Sequence, residues 1–306
     1  MIERRSGGKP MHQMGKSVET GLETKKMVRK RTGGAYMQEM KEQARQEALA
    51  KLMDAENENM NVILDAIAAG VTITDRNVQI DRTVEIEAGA VILPGCILRG
   101  NTRIAAGCVI GPNTVIENSE IGAGSTINAS QIYGSKIGEK NNIGPFTHVR
   151  VDTVTDYGVH LGAYVETKNS NLARGNTVSH LTYIGDSDVG KYCNFGCGTV
   201  TSNYDGSAKH RTTIGDYCFI GCNTNLIAPV TIGDGAYTAA GSTITKDVPA
   251  GDMGIARERQ TNIEGYAKPK LEAYIAKKTK LEEEQKTGHT KAETESRERV
   301  PKEPRV

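Results

Sequence analysis

The sequence predicts an all-β fold, a parallel β-helix flanked by α-helices at both ends. The first observation is a strict six-residue period: Ile80, Ile86, Ile92, Leu98, Ile104, Ile110 and Ile116 follow one another without a gap. The second is the residue two places before each of them, which is always small or β-branched: Val78, Val84, Ala90, Cys96, Thr102, Cys108 and Thr114. Neither a helix of period 3.6 nor a simple strand of period 2 produces two inward positions every six residues. A triangular coil does, with one short strand per face and successive coils stacked about 4.8 Å apart. The third observation is compositional. The chain has 34 glycines, no tryptophan and three phenylalanines in 306 residues, which suits an interior built of thin layers better than a wide aromatic core.

Taken in chain order, residues 1–35 are expected to form a basic, flexible N-terminus with KKMVRKR at 25–31. Residues 36–70 are rich in Ala, Glu, Lys, Leu and Met and predict a helical segment. The β-helix occupies 71–256, room for about ten coils and a prism on the order of 50 Å long. Its period slips by single residues near 117–137 and resumes at Ile137, Ile143 and Val149, then again from Ile214 through Ile220, Leu226, Ile232, Thr238 and Ile244. Two interruptions stand out, a blurred stretch between Val149 and Leu172 and an overrun at SNYDGSAKHRTT, 202–213. Excess residues in a solenoid leave as loops, often on the binding face. A C-terminal extension and helix follow at 257–286. The last segment, 287–306, has no apolar periodicity and is expected to be disordered.

The balance of charge, +1 overall, does not mark a nucleic-acid binder. No stretch reaches the roughly 18 apolar residues that span a bilayer, and the N-terminus has no apolar core of a secretion signal. Six cysteines without an export signal read as reduced cytosolic thiols, so a cytoplasmic protein is expected.

Six segments carry a more specific signal: IGPFTHVR (143–150), LGAYVETKNSNL (161–172), SHLTYIGD (179–186), NFGCGTVTSNYDG (194–206), FIGCNTNLIAPVTIG (219–233) and TAAGSTIT (238–245). Through them, residues 60–269 resemble the acetyltransferase half of the bifunctional N-acetylglucosamine-1-phosphate uridyltransferase / glucosamine-1-phosphate N-acetyltransferase family. The resemblance implies a left-handed coil, a homotrimer, acetyl-CoA as co-substrate and conversion of glucosamine 1-phosphate to N-acetylglucosamine 1-phosphate, a step in UDP-N-acetylglucosamine and cell-wall supply. It does not extend to the other half. Only some 70 residues precede the coil, and SGGKP at 6–10 lacks the strand and helix a nucleotide loop needs. Nucleotidyl transfer is not expected of this chain, and a separate uridyltransferase would supply it. The alternatives are an acetyltransferase for another amino sugar or nucleotide sugar, and a non-catalytic scaffold partnering that uridyltransferase.

The resemblance makes His180 the general base, a role its ordinary pKa near 6.5 suits. It assigns the sugar phosphate to Arg150, Lys168 and Lys209 with Tyr183 and Asn194, and gives Glu166 a part in orienting the amine. Three cations converging on one dianion form charge-assisted hydrogen bonds. Asn203, Tyr204, Cys222, Ala240 and Arg257 match positions along acetyl-CoA. The family commonly has Ser where this chain has Cys222, and a thiol is the weaker donor to a tetrahedral oxyanion.

Phase bears on two of these readings. Val178 and Ile184 are six apart and point inward, so His180, two after Val178, points outward at the offset Cys222 has from Ile220. A histidine among strand residues ordinarily fills a place in a sheet, whereas this one is offered to a groove. Cys193 and Cys218 fall on inward slots while Cys197 and Cys222 fall on outward ones, so the four thiols do not form one zinc tetrahedron. His148, His160, His180 and His210 likewise lack the pairing of a histidine metal site between subunits, and no metal is expected.

Overall fold

Register decides this architecture. Ile92, Ile110, Ile127, Ile143 and Leu161 lie beside one another on consecutive parallel strands, each with no exposed surface. Burying one such side chain stabilises the fold by roughly 1.5–3 kcal/mol, and the column continues through Val178, Phe195 and Ile220. The protein is described here by a computed structural model covering residues 14–298, with side chains over 35–283. Its β-region is a parallel solenoid of about ten coils built from three sheets of eleven, ten and nine strands. The eleven-stranded sheet begins at Thr72–Ile73 and ends at Met253–Gly254. The ten-stranded sheet runs from Gln79–Ile80 to Thr243–Ile244, and the nine-stranded one from Glu85–Ile86 to Val230–Ile232. Apart from the last, Met253–Gly254, which pairs with Tyr237–Thr238 two strands before it, every strand pairs with the strand three places along the chain, so each coil contributes one strand to each face.

The slots two residues before the aliphatics are filled as their sizes require. Ala90, Cys96, Thr102, Cys108 and Thr114 are all buried. The hydroxyls among them are satisfied locally, as in Thr102 Oγ1 donating to the Arg99 carbonyl at 2.6 Å. No large ring fits at such a corner.

The two irregular stretches turn out differently. Between Val149 and Leu172 nothing is extruded: Thr155 and Thr167 occupy the inward positions, buried and in register with Ile137 and Val149. The period is intact there and only its apolar signature is missing. The second stretch is a true insertion. Phe195 and Ile220 pair although 25 residues apart in the chain, and the surplus leaves as a loop closed by an antiparallel bridge between Tyr204 and Lys209.

Helix α1 runs Met14–Ala68, one continuous element that begins well before the boundary expected at 36. The segment SVETGLETKKMVRKR contains no proline, and its Glu, Lys, Met and Arg residues propagate a helix already nucleated downstream. Residues 1–13 of the basic N-terminus lie outside the described residues. The end of α1 is sharply defined. Gly70, at φ +95°, donates to the Ile67 carbonyl and Val71 donates to that of Ala66, the paired bonds of a Schellman motif. Just before it, Ile63 is buried against the first coil. The Asn59 amide donates to the Val78 carbonyl at 2.8 Å and accepts from the Ile80 N–H at 2.9 Å, completing the edge strand Gln79–Ile80 of the ten-stranded sheet.

The chain divides after Arg257 into a second compact unit, residues 258–306. That unit carries α2, Lys268–Glu298, with Pro269 in its first turn, where a missing N–H costs nothing. Helical backbone therefore covers 287–298 of the tail expected to be disordered, because TKAETESRE is composed of helix formers and no proline intervenes before Pro301. The remainder of that tail lies outside the described residues. No helix among the described residues is long and apolar enough to cross a membrane.

Truncating one link of the inner column tests the register. Ile116, fully buried and paired with Leu98 and Ile132, should cost about 2–5 kcal/mol as Ile116→Ala, read as a lowered urea midpoint with an unchanged slope.

Candidate functional site

Parallel stacking puts equivalent residues of successive coils into columns on the outer surface, and the expected site residues fall on two of them. On the ten-stranded sheet, strands His148–Val149, Glu166–Lys168 and Tyr183–Gly185 are neighbours. With Val149, Thr167 and Ile184 inward, Arg150 and Lys168 stand one above the other, and the next place in their column is Gly185. Glu166 and Tyr183 form the adjacent column, directly paired. Arg150 reaches across to Glu166, Nη1 to Oε1, at 2.8 Å. Both are about 40% exposed, 42% and 39%, so solvent screens the pair and it contributes little stability.

Lys168 is the enclosed member of the cluster. Its side chain is 18% exposed and lies 3.7 Å from an Asp186 carboxylate that is 5% exposed. Lys209, delivered by the extruded loop, reaches the Lys168 amine. Hydrogen bonding to Lys209 holds Lys168 above its ordinary range, against the cost of desolvation and with help from Asp186 and Tyr183. The same contact and the Lys168 charge hold Lys209 below its ordinary range, and Arg150 adds to the effect. Two ammonium groups side by side beside a guanidinium release one proton more readily than isolated lysines do. An arriving dianion reverses that balance by stabilising all three charges together.

Tyr183 is positioned by an absence. A Cβ on Gly185 would overlap the Tyr183 hydroxyl and ring, so the phenol lies flat across the glycine toward Lys168. The loop that bears Lys209 is held by Asp205, which accepts N–H groups of Ser207 and Ala208, each at 2.7 Å, and faces His210 Nε2 at 2.8 Å. The Ala208 amide, His210 and Ser207 together hold the Asp205 carboxyl well below the usual carboxylate range. Tyr204, exposed on the same loop, donates its hydroxyl to the Gly206 carbonyl at 2.7 Å.

The second column lies at one end of the eleven-stranded sheet. Val178, Phe195, Ile220 and Thr238 are in register, so the residues two places on, His180, Cys197, Cys222 and Ala240, line up along the solenoid. His180 and Cys222 are exposed and Cys197 half-buried, whereas Cys193 and Cys218 are buried, as their phases require. The His180 ring makes no hydrogen bond among the described residues, and its backbone carbonyl accepts from Thr182 Oγ1 at 2.7 Å. Only the corner residue Leu181 and Thr182 separate it in sequence from Tyr183, so the two columns meet at this corner. Arg257 sends its side chain over Gly241, next to Ala240. Asn194 stands in a third column on the outer face of the same sheet, between Thr177 and Phe219.

The structure thus brings Arg150, Glu166, Lys168, Tyr183 and Lys209 together, with His180 around the corner. Cys222, Ala240 and Arg257 lie further along, Cys222 two coils beyond His180 and on the order of 10 Å from it. Asn203 does not face outward: it is 8% exposed and donates to Asp186. Asp186 and its other donor, Asn169 at 2.5 Å, had no place in the sequence reading. Asp186 follows Ile184 by two, the phase that leaves His180 exposed, and it is buried only because the extruded loop folds over it.

A model described as "Bacterial transferase hexapeptide (six repeats)" matches residues 83–118 and 211–246. Bifunctional protein GlmU of Thermoanaerobacter pseudethanolicus is 52% identical over 203 residues, 66% of this chain and 44% of that protein. GlmU of Clostridium beijerinckii is 46% identical over 239 residues, 78% of this chain and 52% of its own length. Most of this chain is homologous to the bifunctional GlmU proteins. It spans about half the length of those curated relatives. Among solved structures, Francisella novicida UDP-N-acetylglucosamine acyltransferase aligns over 60% of this chain and 67% of its own, at 20% identity and TM-score 0.33. The GlmU-like solenoid therefore carries its cation cluster and His180 within a region of high identity.

Gly185→Ala tests how Tyr183 is held. The ring is the movable partner, so the variant should fold with a melting temperature within a few degrees of the parent, while its crystal structure shows Tyr183 swung away from Lys168.

Proposed function

We propose that this chain is an acetyl-CoA-dependent N-acetyltransferase that converts glucosamine 1-phosphate to N-acetylglucosamine 1-phosphate. The observation carrying the reading is the cluster of Arg150, Lys168 and Lys209 with, around the corner, an exposed His180 whose ring makes no hydrogen bond among the described residues. Three cations converging at one place fit a phosphate dianion, and an imidazole at the adjoining corner fits removal of a proton from an amine. The phosphate docks on Arg150, Lys168 and Lys209, with Tyr183 and Asn194 on the sugar and Glu166 toward the amine. His180 takes the proton as the amine nitrogen bonds to the thioester carbonyl. The tetrahedral intermediate collapses, the C–S bond breaks, and the proton passes to the departing thiolate. Acetyl-CoA lies along the column past Cys222 and Ala240 to Arg257, with Tyr204 at the loop. Asn203 acts in this reading through Asp186.

A homotrimer belongs to the reading. In a homotrimer, His180 of one copy and Cys222 of another could both face one acetyl group. We place the reaction in the cytoplasm.

Thiol release from acetyl-CoA should depend on glucosamine 1-phosphate and should occur without consumption of UTP. His180→Ala should lower kcat by about 10²–10⁴-fold and leave KM for the phosphosugar nearly unchanged. An unaltered rate removes His180 as base, and faster turnover of another amino sugar in a substrate panel moves the acceptor.

A further inference from the structure

Arg150, Lys168 and Lys209 are like charges held close together, and stacking alone repels them. Arg150 has Glu166. The carboxylate that faces the lysine pair is Asp186, and its surroundings are unusual. Asp186 sits at a corner of the solenoid with φ 48°, a conformation that aspartate tolerates better than most residues. Its side chain is 5% exposed and receives two amides. Asn169 donates to Oδ1 from the previous coil. Asn203 donates to Oδ2 from the root of the extruded loop. The Asp186 backbone N–H donates to the Lys168 carbonyl at 2.9 Å, and its own carbonyl accepts from the Thr212 N–H at 3.1 Å, where the loop rejoins the solenoid. One residue is therefore bonded to the coil bearing Lys168 and to both ends of the loop bearing Lys209.

We propose that Asp186 is a positioning residue for phosphate recognition, its buried carboxylate fixing the spacing of Lys168 and Lys209 so that the pair accepts a dianion. The proposal rests on the reading of the chain as a phosphosugar acetyltransferase and adds a residue to it. Asp186 need not touch substrate. It draws Lys168 inward and, through Asn203, ties down the start of the loop that ends in Lys209. Burial by itself opposes ionisation of this carboxyl. The Asn169 and Asn203 amides and the two ammonium groups outweigh it and hold Asp186 below the usual carboxylate range. The geometry also explains why asparagine is no substitute. Both carboxylate oxygens accept, and an amide at 186 would turn an NH₂ group toward one of the two donors.

The decisive measurement is calorimetric binding of glucosamine 1-phosphate and of unphosphorylated glucosamine to the full chain, beside steady-state kinetics. Asp186→Asn should raise Kd and KM for the phosphosugar about ten- to hundredfold, the loss expected when a buried, charge-bearing hydrogen-bond network is broken. KM for acetyl-CoA should stay within about twofold, and kcat at saturating phosphosugar should fall far less than KM rises. Asn169→Ala, which removes one donor and no charge, should show the same signature at smaller size, and Glu120→Gln on the nine-stranded sheet should show none. If Asp186→Asn does not fold, Asn169→Ala decides alone. A kcat loss common to phosphorylated and unphosphorylated acceptors, or unchanged phosphosugar affinity, overturns the assignment. Failure of the parent protein to bind the phosphosugar overturns the acceptor reading instead, so the two failures are distinct.

Discussion

In-register parallel stacking is the interaction on which everything else here depends. Backbone N–H groups along the strands donate to the neighbouring coils, and the side chains of equivalent residues are thereby forced into lines about 4.8 Å apart. Inside, such a line is favourable for any well-packed aliphatic, and Ile92, Ile110, Ile127 and Ile143 show the consequence. Outside, the same rule creates rows of functional groups with fixed spacing and almost no freedom to rearrange. Lys168 above Arg150 and Cys222 beyond His180 are results of one geometric constraint.

That constraint is why so much could be read before any coordinates. A six-residue spacing of aliphatics defines inward and outward positions, and the outward phase of His180 and Cys222 follows directly. Two features escaped, each for a physical reason. Thr155 and Thr167 hold inward places without being apolar, since a threonine can bury its methyl while its hydroxyl oxygen accepts, from the Gly138 N–H for Thr155 and from Thr153 Oγ1 for Thr167; a search for hydrophobic period cannot see them. Asp186 has the phase of an exposed residue and is covered by a loop whose path depends on contacts distant in sequence. The helices were legible in kind but not in extent, because helix propensity fades gradually while capping is what ends an element. The Schellman bonds at Gly70 end α1 sharply, and nothing comparable marks residue 36.

The site shows how a rigid scaffold handles concentrated charge. A solenoid cannot move Arg150 and Lys168 apart once their column is set, so groups that balance or complete the cluster must come from a neighbouring column or from an insertion. Glu166 comes from the first source. The second supplies Lys209 and also Asn203, the amide that secures the opposing carboxylate. The added charge and the amide that holds its counter-charge therefore arrive on one loop, and the cluster is complete only when that loop is seated. Asp205, accepting the amides of Ser207 and Ala208, gives the loop an internal order that a flexible tether would lack.

The seal made by α1 has a consequence of a different kind. A stack of identical parallel coils has no intrinsic length: the face that accepts one coil from within the chain would equally accept one from another molecule, as in a growing fibre. Asn59 occupies hydrogen-bonding groups of the ten-stranded sheet's edge strand at Val78 and Ile80, and Ile63 is buried in the core at the same end. The helix thus acts as a chain terminator for polymerisation at that end.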